Sequence, residues 1–348
     1  MKVKMSNVLI REELGGKELK VLIADLPKAQ NRDIDYEINL LRNAFPDVET
    51  VVYNYDELKK DEFKELLKDA DALLTALIVM DRDMLECAEK LRIISLTSTG
   101  YNFVDVACAT EKNIAVVPVG EYCTNEVADH TMSLLLALNR KLKNFVNIVD
   151  NQHLWLYKKA GEIHGLSGQK LGIFGLGKIG RAVAVRAQAF GVEVVAYDPY
   201  LPKKIADEID VKLVEPEYII ENCDIISNHM IQTAEVESFF NEDFFSGLKK
   251  KPIFLNVARG ASVDETALLN ALDTGKISSA GLDVFKDENP DLTKSPFIGR
   301  DDVFVTPHAA FYSAEAVALC QKISVENIIY YLKGEYQKVN HIVNNVHS

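Results

Sequence analysis

Three short runs carry side chains suited to proton transfer and carboxylate binding: Asn256-Val-Ala-Arg259-Gly260, Gly281-Leu-Asp283-Val-Phe-Lys-Asp-Glu288 and Thr306-Pro-His308-Ala-Ala-Phe311. A histidine titrates near neutral pH, so His308 can give or take a proton under ordinary conditions, and a carboxylate placed beside it would favour its charged form. The guanidinium fork of Arg259 can grip a carboxylate with two parallel bonds and polarise a carbonyl beside it, which a lysine does less well. An acid of this kind suits a reaction in which a carbonyl oxygen gains negative charge and must be protonated in step. Each residue alone has a plainer reading, as a surface cation, a solvated loop acid or a turn histidine after proline. Their joint placement at the ends of strand-like runs in one nucleotide-type domain favours the chemistry.

A second constellation lies upstream, in Gln169 to Tyr200. Leu171, Ile173 and Phe174 form an apolar run that stops at glycine, as a buried parallel strand does. Gly175, Gly177 and Gly180 then give G-x-G-x-x-G. The first permits a tight turn, the second leaves bare backbone for a pyrophosphate, and the third lets the next helix lie close to its strand. Lys178 and Ile179 open that helix, whose unpaired N–H groups and positive end favour an anion. After Gly191 the run Val192 to Ala196 makes another strand, and Asp198 closes it eighteen residues beyond Gly180. Its carboxylate can accept both hydroxyls of a ribose and would repel a 2′-phosphate, so NAD is favoured over NADP despite Lys203 and Lys204. The glycine spacing is weak by itself; the strand before, the helix after and the terminal acid carry it.

These residues need a frame, and 348 residues exceed one ordinary core, so two domains are expected. From Lys20 the strand-like runs VLIADL, ETVVYNY, DALLTA, RIISLTS and IAVVPV alternate with helical stretches, which predicts a parallel doubly wound domain ending near Val119. Pro118 to Thr124 reads as a hinge, and a long helix starts at Thr124 or Asn125 with Glu126 and Asp129 near its positive end. His130 on that helix is read as structural rather than as a base. Beyond the glycine turn, DIISNHM, PIFLNVAR, SSAGLDV and VFVTP continue a second doubly wound sheet, and the last helix, AEAVALCQKISVENIIYYLKGE, is expected to return to the first domain. The fold class is thus α/β with two doubly wound parallel-sheet domains: 20–119 plus 312–348 as a discontinuous substrate domain, 120–311 as the NAD-binding domain, and 1–19 as an N-terminal extension without an assigned role.

A formal charge of −13 repels nucleic acid and anionic lipid, which argues against both as partners. Five scattered cysteines, never in C-x-x-C spacing, suit free thiols in a reducing cytoplasm. No apolar run approaches the ~20 residues of a membrane span, the start does not read as a signal peptide, and no metal-ligand set is assigned.

GLGKIG, NVARGASVDETAL, GLDVFKDE and TPHAAF, in that order, resemble the D-isomer-specific 2-hydroxyacid dehydrogenase family across roughly residues 20 to 335. The resemblance implies a flavodoxin-like substrate domain carrying an inserted Rossmann NAD domain, usually in a homodimer, acting on a small-molecule 2-oxo or 2-hydroxy acid. It implies Arg259 as ligand of the substrate carboxylate, His308 as acid and base, and Glu288 as its partner. The backbone of Thr99 and Gly100, with Tyr101, would lie against the substrate carboxylate. Asp283 would hold the nicotinamide carboxamide, and His229, Thr233, Val257 and Ala258 would line the cofactor. Where the family often has His-x-Pro-Leu-Thr, this chain has His229-Met-Ile-Gln-Thr233, which alters the nicotinamide-side loop. Phosphoglycerate dehydrogenases resemble the chain in YCTNEVADH but commonly place arginines after the third strand. Here Thr75 to Met80 is apolar, which favours an unphosphorylated acid such as hydroxypyruvate, glyoxylate or one with an apolar tail, unless Leu77 to Met80 are simply core. DPYL and HAAFYS also resemble C-terminal-binding proteins, which would make the same residues an NAD(H) sensor, and a formate-dehydrogenase-like activity would typically have glutamine where Glu288 stands.

Overall fold

The computed structural model describes residues 18–346 except 28 and 31, so most of the expected 1–19 extension lies outside the described residues. Leu19 is already buried in the core of the first unit.

That unit comprises the chain up to Tyr122 and again from Ser313. Its strands are β1 (Lys20–Asp25), β2 (Glu49–Asn54), β3 (Ala72–Thr75), β4 (Ile93–Leu96) and β5 (Ala115–Val117), all parallel in the order β2-β1-β3-β4-β5. Successive strand residues point to opposite faces, so a sheet covered on both sides needs apolar side chains at every position of its central strands. Val21, Ile23, Leu74 and Ile93 accordingly pack on one face with Leu41 and with Val325 and Ile328 of the helix Ala314–Leu332. Leu22, Leu73 and Ile94 pack on the other with Phe63, Leu67 and Met84. The late helix is anchored as well as packed: Ser95 donates from Oγ to the Ser324 carbonyl at 2.7 Å. The free edge of β5 is closed by the chain's C-terminal segment, where Val343 N–H donates to the Val116 carbonyl at 3.0 Å and Asn344 pairs its amide with Val116 N–H and the Ile114 carbonyl.

The second unit, Cys123–Tyr312, holds a seven-stranded parallel sheet. Its strands are β6 (Lys170–Phe174), β7 (Glu193–Tyr197), β8 (Lys212–Leu213), β9 (Ile225–Asn228), β10 (Ile253–Asn256), β11 (Ser279–Leu282) and β12 (Val303–Val305), in the order β12-β11-β10-β9-β6-β7-β8. The winding reverses between β6 and β9, and ligands of such sheets bind beyond the strand ends at that point. Edge-to-face phenylalanines fill one face of the sheet, among them Phe240 against Phe244 at 4.9 Å and against Phe174 at 5.1 Å. β8 and the helix Lys203–Asp207 are not legible in the sequence, because elements of two and five residues show no periodicity. Among the described residues no helix is long and apolar enough to cross a membrane.

Candidate active site

The glycine turn sits between β6 and the helix Lys178–Ala189. Gly175 has φ +88°, and a Cβ there would meet the His229 carbonyl at 2.7 Å. A Cβ on Gly180 would lie 2.2 Å from the Gly175 oxygen, so turn and helix touch backbone to backbone. Gly177 meets nothing within 4 Å and leaves open backbone at the helix N-terminus, which is the cradle a pyrophosphate needs. Lys178 is exposed and Ile179 partly buried there. Asp198 is busier than its reading as a ribose ligand suggested. One oxygen accepts Leu176 N–H at 2.9 Å and the other accepts Tyr200 and Leu201 N–H, each at 3.1 Å, so the carboxylate ties the turn to the loop after β7 and has less capacity left for ribose. His229, after β9, shares a 2.8 Å hydrogen bond between Nε2 and Ser227 Oγ, and burial pushes its imidazole down to about 4, so it is neutral at physiological pH. Thr233 is exposed on the same loop, next to Gln232, which donates to its carbonyl at 3.3 Å.

The Arg259 loop is framed by buried amides at the ends of β9 and β10. Asn228 Nδ2 donates to Asn256 Oδ1 at 3.0 Å and to Ser262 Oγ at 2.8 Å. Asn256 Nδ2 and Ser262 Oγ both donate to the Arg259 carbonyl, at 3.0 and 2.7 Å. Ala258 N–H donates back to Asn256 Oδ1 at 3.2 Å, and Val257 is buried. Asn228 was not singled out from the sequence; its signal is an amide ending the apolar run IIS, where a buried polar group must find partners. The Arg259 guanidinium is partly buried and donates to the Ala258 carbonyl at 2.8 Å. A Cβ on Gly260 would fall 1.9 Å from the Phe285 carbonyl carbon, so this loop lies directly on the backbone of the GLDVF segment.

Asp283, 2% exposed, organises the histidine loop. Its Oδ1 accepts the Thr306 hydroxyl at 2.5 Å and Ala309 N–H at 2.8 Å, its Oδ2 accepts Ala310 N–H at 2.9 Å, and its carbonyl accepts His308 N–H at 2.8 Å. His308 is thereby held at φ +52°, a left-handed conformation uncommon for a residue with a side chain. Its Nδ1 lies 2.9 Å from Glu288 Oε2, and both side chains remain more than two-fifths exposed. With Nδ1 turned to Glu288, Nε2 is the ring nitrogen left for another molecule.

In the first unit, Thr99, Gly100 and Tyr101 follow β4. Thr99 Oγ1 donates to the Gly120 carbonyl and Ser98 Oγ to the Gly100 carbonyl, both at 2.8 Å, and Tyr101 is 44% exposed. Asp25, at the end of β1, has no distinguishing signal in its own segment: its carboxylate accepts Ala76, Leu77 and Leu26 N–H at 2.6, 3.0 and 3.0 Å and so shapes the loop after β3, and burial raises its pKa. That loop is mostly core. Ala76, Ile78 and Met80 are buried, and Met80 is bonded on both sides to the Phe103–Asp105 backbone. The expectation of an apolar substrate-facing loop therefore contracts to Leu77 and Val79.

Residues 132–310 match the family model described as D-isomer specific 2-hydroxyacid dehydrogenase, NAD binding domain. The chain is 37% identical over 280 residues to a D-3-phosphoglycerate dehydrogenase of Methanocaldococcus jannaschii, covering 80% of this chain and 53% of that one. It is 34% identical over 275 residues to a glyoxylate reductase of Korarchaeum cryptofilum, covering 78% and 82%. The chain spans about half the length of the phosphoglycerate dehydrogenases it matches. A solved D-lactate dehydrogenase from Aquifex aeolicus, complexed with NAD and lactic acid, superposes with a TM-score of 0.82 at 26% identity over 92% of this chain and 97% of that one. A model match over half the chain and a relative of this identity over four-fifths of it establish that the chain belongs to the D-isomer-specific 2-hydroxyacid dehydrogenase family.

Proposed function

We propose that the protein is an NAD-dependent oxidoreductase that interconverts a small 2-oxo acid and a (D)-2-hydroxy acid, and the His308–Glu288 pair carries this reading. Bound NADH would supply the hydride for reduction and NAD+ would accept it in oxidation; the open backbone of Gly177 at a helix N-terminus fits the pyrophosphate of either form. In reduction, Nε2–H of His308 gives its proton to the substrate oxygen as charge builds there, and Nδ1–H keeps its bond to Glu288 throughout. Arg259 holds the substrate carboxylate, with Thr99, Gly100 and Tyr101 as further substrate contacts. Lys178, Ile179, Asp198, neutral His229, Thr233, Val257, Ala258 and Asp283 serve the cofactor, Asp283 through whatever acceptor capacity its turn bonds leave. The substrate is an unphosphorylated acid such as hydroxypyruvate or glyoxylate, because Thr75 to Met80 offers a phosphate no cation. A glyoxylate reductase and a hydroxypyruvate reductase among the relatives support that choice, and the phosphoglycerate dehydrogenases support the phosphorylated alternative.

Oxidation of NADH with a panel of 2-oxo acids tests this directly. An efficiency with 3-phosphohydroxypyruvate well above that with unphosphorylated acids reverses the substrate choice. Tight NADH binding without turnover on any of them points instead to a sensor like the C-terminal-binding proteins. Glu288→Gln, which replaces the charged acceptor at His308 Nδ1 with a neutral amide, is expected to lower kcat for reduction, and an unchanged kcat removes Glu288 from the mechanism.

A homodimer forms part of the proposal. One segment exposes Val146, Val149, Trp155, Leu156 and Tyr157, with Trp155 91% exposed, and apolar side chains left in water together suit a protein–protein interface. Replacing Trp155 and Leu156 with glutamate is expected to convert dimer to monomer in light scattering, and a monomeric wild type at micromolar concentration refutes it. The free thiols, four of them buried, suit a cytoplasmic setting.

A further inference from the structure

His130 takes no part in the reading above, yet it reaches the proton-transfer loop. It lies on the helix Thr124–Asn139, and its Nε2 is 3.0 Å from Thr306 Oγ1. We propose that His130 is a positioning residue: its ring N–H, relayed through the Thr306 hydroxyl, sets the Asp283 carboxylate that holds the His308 loop. The proposal rests on the assignment of His308 as the proton donor.

The direction of the relay follows from counting hydrogens. A threonine hydroxyl has one, and Thr306 gives it to Asp283 Oδ1 at 2.5 Å. Toward His130 that oxygen is therefore an acceptor, which places the ring hydrogen of His130 on Nε2. His130 Nε2 is 3.7 Å from Asp283 Oδ1 itself, so the hydroxyl is the link between them. Asp283 then distributes the constraint to the Ala309 and Ala310 N–H groups and, through its carbonyl, to His308 N–H. Four donors thus meet on one buried residue to hold a backbone that His308 would not adopt unaided.

The same helix also grips the cofactor side. Arg186, on the helix that follows the glycine turn, donates to Asp129 at 2.6 Å and to Asn125 at 3.1 Å. Neighbouring residues of one rigid helix therefore place the glycine-turn helix and the histidine loop against a common reference, and loosening His130 should disturb the alignment of proton with hydride more than the binding of either ligand.

The test is a double-mutant cycle on His130→Phe and Thr306→Val. His130→Phe is expected to lower kcat about 5- to 10-fold, the worth of one neutral hydrogen bond, and Thr306→Val, which also removes the bond to the Asp283 carboxylate, at least as much, with KM for NADH moving less than about twofold, and the double variant should lose no more than the worse single. His130→Gln, which keeps a donor near the position of Nε2, should recover most of the loss. Losses that multiply in the double variant, or a glutamine no better than phenylalanine, overturn the relay. If the wild type turns over no 2-oxo acid, the functional reading fails separately, and the relay is judged by nitrogen-15 NMR. It then requires an Nε2–H tautomer at His130 and a shifted His308 ring signal in His130→Phe; an Nδ1–H tautomer or unmoved His308 signals overturn it.

Discussion

His308→Gln is expected to lower kcat for 2-oxo acid reduction by about 10²- to 10⁴-fold, the usual worth of a positioned general acid, while NADH still binds. The loss should be large because no second acid is supplied by the same loop. Glu288 faces Nδ1 rather than the free Nε2, and Asp283 is buried with both oxygens engaged. NADH binding should survive because the glycine turn is built from Gly175, Gly177, Gly180 and Asp198, none of which bonds to the imidazole. Single-turnover rates and NADH fluorescence titration separate the two effects. A His308→Gln enzyme within tenfold of wild type would mean that the proton comes from elsewhere.

Arg259→Leu should cost kcat/KM for the oxo acid on the order of 10²- to 10⁴-fold, since two charge-assisted hydrogen bonds at about 1.5–3 kcal/mol each are lost. Arg259→Lys should recover only part of this, because an ammonium cannot present the planar fork. The experiment is clean because of how the loop is held. Asn256 and Ser262 grip the main-chain carbonyl of residue 259, while the guanidinium bonds to the Ala258 carbonyl, so the loop's shape is set mainly through the main chain. Thermal stability should accordingly change little while the substrate KM rises. A fall in kcat/KM for oxo acids no greater than the fall in NADH affinity would take the carboxylate away from Arg259.

Much of this protein is legible along the chain because the signals are local. Apolar runs such as VLIAD, LGIF and PIFLN mark buried parallel strands by themselves, and the G-x-G-x-x-G turn is recognised from the strand before it, the helix after it and the acid that closes the next strand, all within thirty residues. Arg259, Glu288 and His308 could be named because each ends or follows such a run, where an α/β sheet presents its chemistry. What holds those residues was decided only when distant strands came together. Asn228 meets Asn256 because β9 pairs with β10, and Asp25 reaches the loop after β3 because β1 pairs with β3. His130 finds Thr306 across 176 residues of chain, and within Leu77 to Met80, which the sequence leaves open between substrate loop and core, Ile78 and Met80 lie in the core. A buried polar group or loop side chain takes its role from partners supplied by other elements, and the spacing of residues along one segment carries no record of which elements those will be.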